Sequence, residues 1–166
     1  MKKIVLLLLS AFVLQCTYAQ KFEPNWESLN TRKMPEWFHQ DKFGIFIHWG
    51  VYAVPGYAPV IPNDAVSYAE WYWHRIRTDK TKQFVDFHNK NYGAGFSYEQ
   101  FEPMFKAELF DPEQWASVFK KSGARYVVLT SKHHEGYCLW NSAEADRTWG
   151  RSWNAVTGTP KRDLLG

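Results

Sequence analysis

The chain has 166 residues, of which 45% are hydrophobic and only 22% charged, with a formal net charge of +3. That balance excludes an intrinsically disordered chain, and nothing in it suggests the basic patch of a nucleic-acid binder. Aromatic residues reach 18%, with 9 Trp, 9 Tyr and 12 Phe, so packing of rings is expected to dominate the core.

In chain order, Met1-Lys2-Lys3 precedes an apolar run from Ile4 to Leu14 broken only by Ser10, with the small residues Thr17 and Ala19 just after it. A basic start, an apolar run too short to cross a bilayer and a small-residue site predict a secretory signal peptide over residues 1–19. Bulky Gln15 makes Cys16 a poor lipid-attachment site. The mature chain then starts at Gln20, has 147 residues and a charge of +1, and is exported to the periplasm or the extracellular space. It has no membrane span, and Cys138 as its one cysteine precludes an internal disulfide.

Residues 20–36 read as a polar lead-in containing Pro24 and Pro35. Phe43 to His48 is a nearly continuous apolar run, as expected of a strand covered on both faces. Pro55, Gly56, Pro59 and Pro62 mark a long loop. Helices are predicted over Ser67–Arg77 and Lys82–Asn91, with a short one from Ser97 to Phe105. Asp111 can cap a helix, with Pro112 at its first position and Gln114 completing a capping box. Trp115, Val118 and Phe119 supply its apolar stripe, and Gly123 ends it. Tyr126 to Thr130 reads as a second buried strand, giving a βα pattern and a parallel sheet. Lys161 to Gly166 looks like the opening of a helix without tail or cap, so the sequence is expected to be part of a longer protein.

Polar residues gather where both strands end: His48-Trp49-Gly50 after the first, and Ser131-Lys132-His133-His134-Glu135-Gly136 after the second. Parallel α/β folds bind ligands outside the carboxyl ends of their strands. By alternation His48 shares a face with Gly44 and Phe46. His133 and His134 cannot both point inward from a regular strand, so one is structural or the strand bends. Glu70-Trp71-Tyr72-Trp73 joins a carboxylate to large rings, a combination that suits sugars: indole faces pack on C–H surfaces while polar groups bond hydroxyls. The plainer assignment puts such rings in the core, and Trp115 and Phe119 are read that way. His134-Glu135 starts an HExxH pattern, but Cys138 stands where the second His belongs, so no metal site is expected. Gly93-Ala94-Gly95 is not a dinucleotide fingerprint, and no P-loop or G-x-S-x-G elbow is present.

Together these motifs resemble a known family. Lys42 to Tyr52, Glu70-Trp71-Tyr72, Phe110 to Ala116, Val128 to Gly136 and Pro160 to Leu164 are similar, in order, to segments of the retaining α-L-fucosidases, glycoside hydrolase family 29. The resemblance implies an α/β fold, the incomplete N-terminal part of a (β/α)8-type (TIM-like) barrel, over residues 37–166. It implies removal of terminal α-L-fucose from a fucosylated glycan or glycoconjugate, without cofactor or metal. It places His48, Glu70, Trp71, His133 and His134 in the substrate pocket. The family's Asp nucleophile and its acid/base carboxyl would lie beyond Gly166, and Glu135 is not a substitute for either. A whole barrel takes about 250 residues, so the chain as written is expected to be inactive and poorly soluble. Two other readings compete: a non-catalytic sugar-binding barrel, and a metal-dependent barrel hydrolase using His48, His133 and His134.

Overall fold

The computed structural model describes residues 22–60, 68–78, 80 and 82–166. The predicted signal peptide lies outside the described residues. The chain divides into two compact units, Met1–Lys42 and Phe43–Gly166.

Within the first unit, the stretch read as a polar lead-in carries two short helices, α1 (Trp26–Asn30) and α2 (Glu36–Gln40). Asn25 caps α1 by accepting from the Ser28 backbone N–H at 2.8 Å, which satisfies one of the free donors of the first turn. Pro35 precedes α2, and Gln40 donates to Glu36 one turn back. Both helices lack a buried residue, so no apolar stripe announces them in the sequence.

In the second unit β1 (Gly44–Ile47) pairs in parallel with β2 (Tyr126–Leu129), Gly44 opposite Tyr126 and Ile47 opposite Leu129. Between them run a 3-10 turn (Val51–Ala53), a second one (Ala69–Trp71), α3 (Tyr72–Thr78), α4 (Gln83–Tyr92), a third 3-10 segment (Tyr98–Met104) and α5 (Pro112–Lys121). The two strands are only partly covered: Phe46 is 67% exposed, with Val127 and Val128 also open. Coverage on both faces, expected from their apolar sequence, is not what this two-stranded sheet has.

α5 starts as predicted at Asp111, whose carboxylate accepts from the backbone N–H groups of Glu113 and Gln114, both at 3.0 Å. The reciprocal half of the capping box is not made there; the box closes instead at Ser97 and Gln100. The Ser97–Phe105 region is therefore capped as expected, but it winds as a 3-10 segment with Pro103 inside. On α5 the stripe is looser than predicted. Trp115 and Phe119 are half-buried and Val118 is 55% exposed, with Trp115 packed on Trp49 and Phe110 at ring distances of 5.1 and 5.0 Å.

Rings fill the core, which centres on Tyr72, Phe84, Tyr98, Phe101, Tyr137 and Trp153. Each fully buried side chain of this size contributes about 1.5–3 kcal/mol. Tyr72 has its hydroxyl deep inside, where it needs a partner. It bonds His88 Nδ1 at 2.9 Å, and the other ring nitrogen of His88 meets the Phe96 carbonyl at 2.7 Å. The carbonyl can only accept, so Nε2 carries the proton and Nδ1 accepts from the tyrosine.

Beyond β2 a helix without a predicted counterpart, α6 (Ala143–Trp149), starts at Ser142 and ends at Gly150. Residues 161–166 do not form the predicted helix. Their backbone is used elsewhere: Leu164 donates to Leu139, Arg162 donates to Ala155, and the Leu164 side chain is buried. Among the described residues no helix is long and apolar enough to cross a membrane.

Candidate functional site

Three separated segments bring the predicted residues to one place, and each is held by a buried neighbour. His48 follows β1 directly, and Val51 and Tyr52, both buried, anchor the chain just after it. Glu70 and Trp71 sit on the 3-10 turn that runs into α3, fixed by fully buried Tyr72. His133 and His134 lie past the end of β2, where the chain bends into a tight turn. The Gly136 N–H donates to the His133 carbonyl at 3.0 Å, Lys132 bridges to Cys138, and Tyr137, Cys138 and Leu139 are buried behind. Gly136 takes φ +73, a left-handed conformation that a side chain disfavours. Because the chain has left the strand, both histidines reach the same locus. The bend is the alternative that alternation left open.

His133 is the hub. Its ring lies 5.4 Å from His48, 4.5 Å from His134, 6.3 Å from Trp71 and 5.7 Å from Tyr52, all in edge-on contacts. Trp71 also packs on His134 at 4.3 Å. One donor atom each from His48, Glu70 and His133 lies within 4.8 Å of the others. All five residues named from the sequence are thus brought together, with His48 and His134 exposed and the other three partly buried. An apolar cleft that His48 shares with Phe46, Trp115, Val118 and Phe119 includes none of the other four. The polar chemistry resides in the cluster rather than in that cleft.

Beneath the cluster lie groups to which the sequence assigned no role, Glu135 among them. Glu135 is 2% exposed, and its Oε2 stands 4.0 Å from His133 Nδ1. That distance admits an ion pair, yet burial favours the neutral form of each group. Burial pushes the Glu135 carboxyl up to about 8, with a hydrogen bond to backbone offsetting a part. Burial, then the neighbouring His134 and His48, lower His133, against an opposing pull from the Glu70 carboxylate and backbone. A neutral pair is the consistent description. Burial, followed by the charges of Glu135 and Glu70, raises the Tyr52 hydroxyl out of reach of ordinary pH. Tyr98 is raised in the same way, with Glu135 the largest charge acting on it. A buried glutamate in a His-His-Glu-Gly turn has no periodic signature. Only its position among apolar Tyr137 and Leu139 could have hinted at it.

This cluster offers imidazole and carboxylate groups for hydroxyls, an indole for an apolar ring face, and a spacing of three donors that a divalent cation could also exploit. Comparison with known proteins bears on that choice. The Alpha-L-fucosidase family model matches residues 10–166. Plasma alpha-L-fucosidase of Homo sapiens is 46% identical over 147 residues, 89% of this chain and 28% of the relative. Alpha-L-fucosidase of Dictyostelium discoideum is 42% identical over 166 residues, covering 34% of its own length. Among solved structures, Thermotoga maritima alpha-fucosidase in complex with fucose superposes with a TM-score of 0.74 at 46% identity, over 87% of this chain and 32% of that one. An alpha-L-fucosidase from Bacteroides thetaiotaomicron gives a TM-score of 0.54 at 29% identity, over 81% of this chain and 26% of that one. The chain therefore spans about a third or less of the proteins it matches. A match running over nearly all of this chain, at such identities, has one meaning: the chain belongs to the α-L-fucosidase family.

Proposed function

We propose that the full-length protein is an exo-acting α-L-fucosidase, hydrolysing terminal α-L-fucose from glycans with retention of configuration. The observation that carries this reading is the convergence of His48, Glu70-Trp71 and His133-His134 from three distant segments onto one locus. Fucose is a pyranose with an apolar C–H face and several hydroxyls. Trp71 packs on the face, while the imidazoles of His48, His133 and His134 and the Glu70 carboxylate bond the hydroxyls.

β1 and β2 are read as the first two strands of a (β/α)8 barrel, which puts the pocket at their carboxyl ends as that fold requires. Retention takes two carboxyl groups about 5–5.5 Å apart, a nucleophile that forms the glycosyl-enzyme and an acid that protonates the leaving oxygen. Both are assigned to the portion of the relatives that this chain does not span. Water, activated by the same acid in its basic form, then releases fucose. The part played by the present residues is to bind the sugar, orient its anomeric carbon and keep bulk water from its apolar face. The basic and apolar start of the sequence supports export with cleavage after Ala19, leaving residues 20–36 as a lead-in and 37–166 as barrel.

The test is hydrolysis of an aryl α-L-fucoside by the full-length protein, followed by NMR for the anomer first released. Release of α-L-fucose supports the reading, and no hydrolysis, or release of the β anomer, refutes it. Stoichiometric zinc that a chelator removes together with activity would favour a cation on His48, Glu70 and His133 instead. N-terminal sequencing of the exported protein is expected to begin at Gln20.

A further inference from the structure

The turn that carries the two pocket histidines buries a carboxyl group to which the fucosidase reading gives no task. Glu135 points inward at 2% exposure, and its Oε2 has no hydrogen-bond partner among the described residues. His133 Nδ1 is likewise buried and unpartnered, 4.0 Å away. Two more buried oxygens in the same condition, the Tyr52 and Tyr98 hydroxyls, lie close enough to feel the Glu135 charge. Unpaired buried polar atoms are costly and rare in native proteins. Glu135 Oε2 and His133 Nδ1, 4.0 Å apart, are two such atoms facing each other.

The backbone holds Glu135 there on purpose-built contacts. Trp153, fully buried, donates its indole N–H to the Glu135 carbonyl at 2.8 Å. Gly50 leaves the room: a Cβ on it would lie 3.3 Å from Glu135 Oε1 and 3.1 Å from the Tyr52 ring. The glycine that follows His48-Trp49 is thus fitted to the glutamate under His133, and the two halves of the pocket share one floor.

His133 has two ring nitrogens to satisfy. A ring nitrogen of His133 lies within 4.8 Å of a Glu70 carboxylate oxygen and a His48 nitrogen, and a carboxylate accepts only from N–H. Nδ1 faces Glu135 without a partner, so Nε2 is left to carry the proton on the side of Glu70. Nδ1 is then the acceptor, and the group facing it must be a donor. The usual arrangement, a carboxylate accepting from a histidine N–H, is reversed.

The geometry points to Glu135 as the positioning residue of His133: its carboxyl O–H donates to Nδ1, fixes the Nε2–H form of the ring and so presents that N–H to the locus shared with His48 and Glu70. Closing the 4.0 Å separation to a hydrogen bond takes about 1 Å, within the tightening that occupied sites undergo. The raised affinity of Glu135 for its proton keeps the donor in place near neutral pH. Glu135 touches no substrate in this arrangement. It acts through His133.

The ligand in this proposal rests on the fucosidase reading, but the ring geometry does not. The experiment uses the full-length protein with 15N-labelled histidine, His133 being assigned by its loss in His133→Gln, and measures L-fucose binding beside the tautomer. Wild type is expected to show a pyridine-like Nδ1 and a protonated Nε2 at His133. Glu135→Gln keeps an N–H donor and should retain that tautomer, with fucose affinity within about threefold of wild type. Glu135→Met keeps the volume, removes the donor and should lose the tautomer preference together with roughly 5- to 100-fold in affinity. If Glu135→Met does not fold, Glu135→Asp draws the O–H back by one methylene and should show the same loss. A protonated Nδ1 in wild type, or a Glu135→Met or Glu135→Asp protein with unchanged tautomer and affinity, overturns the proposal. An unaltered tautomer pattern in a wild-type protein that does not bind fucose overturns the fucosidase reading alone.

Discussion

Glu135→Gln should flatten the pH dependence of stability. In the folded protein the carboxyl is raised from 4.5 to about 8 by burial, so folding holds its proton more tightly than the unfolded chain does. The sign follows from linkage: stability from this group is fully present below pH 4.5 and is lost as pH rises toward 8, because the unfolded state ionises first. Each pH unit in that window is ~1.4 kcal/mol, so the loss is about 5 kcal/mol across it, a large share of the stability of an ordinary domain. The side chain is 2% exposed, so little of this is screened by water. Urea unfolding of full-length wild type and Glu135→Gln between pH 5 and 8, fitted for midpoint and slope, measures it. The amide cannot ionise, so the difference between the two proteins should change in favour of the variant as pH rises. Parallel curves at every pH would show that Glu135 is charged in the folded state, and the neutral pair with His133 would be wrong.

Tyr72→Phe keeps the ring in the core but leaves His88 Nδ1 without its 2.9 Å partner, and thermal unfolding should register a loss of about 1–3 kcal/mol. Asp111→Ala removes the acceptor for two N–H groups at the start of α5, which should cost ~1 kcal/mol in the same assay. Asp146→Ala should cost more than Asp111→Ala. Asp146 accepts from the Trp153 backbone at 2.7 Å, from Asn154 at 2.8 Å and from Thr157 at 2.7 Å, three donors on the loop that holds Trp153 behind Glu135.

The parts of the fold legible in the sequence are those with strong local chemistry. Asp111-Pro112 and Gly123 bracket α5, and apolar runs mark β1 and β2 within a residue or two. The ends of those strands offered His48, His133 and His134 as candidates because a parallel sheet puts ligand-binding groups there, whatever holds them, while Glu70 and Trp71 stood out only as a carboxylate joined to large rings. Elements without a buried stripe were not legible. α1 and α2 bury nothing, and α6 buries only Ala145. The 3-10 winding at Tyr98–Met104 comes from a proline inside a segment whose ring pattern also suits an α-helix. Residues 161–166 have the charges and leucines of a helix start, but pairing with Leu139 and Ala155 wins over local propensity. The burial of Glu135 was hidden for a different reason: it depends on Gly50 and Trp153, distant in sequence and brought near only by the fold.

The central claim, that the five converging residues bind fucose, is tested most directly by calorimetric titration of L-fucose into the full-length protein and its Trp71→Ala and His48→Ala variants, each first shown to be folded. Loss of one stacking face or one good hydrogen bond is about 1–3 kcal/mol, so each variant should bind roughly 5- to 150-fold more weakly than wild type. Wild-type affinity in both variants would place the sugar elsewhere and contradict the account.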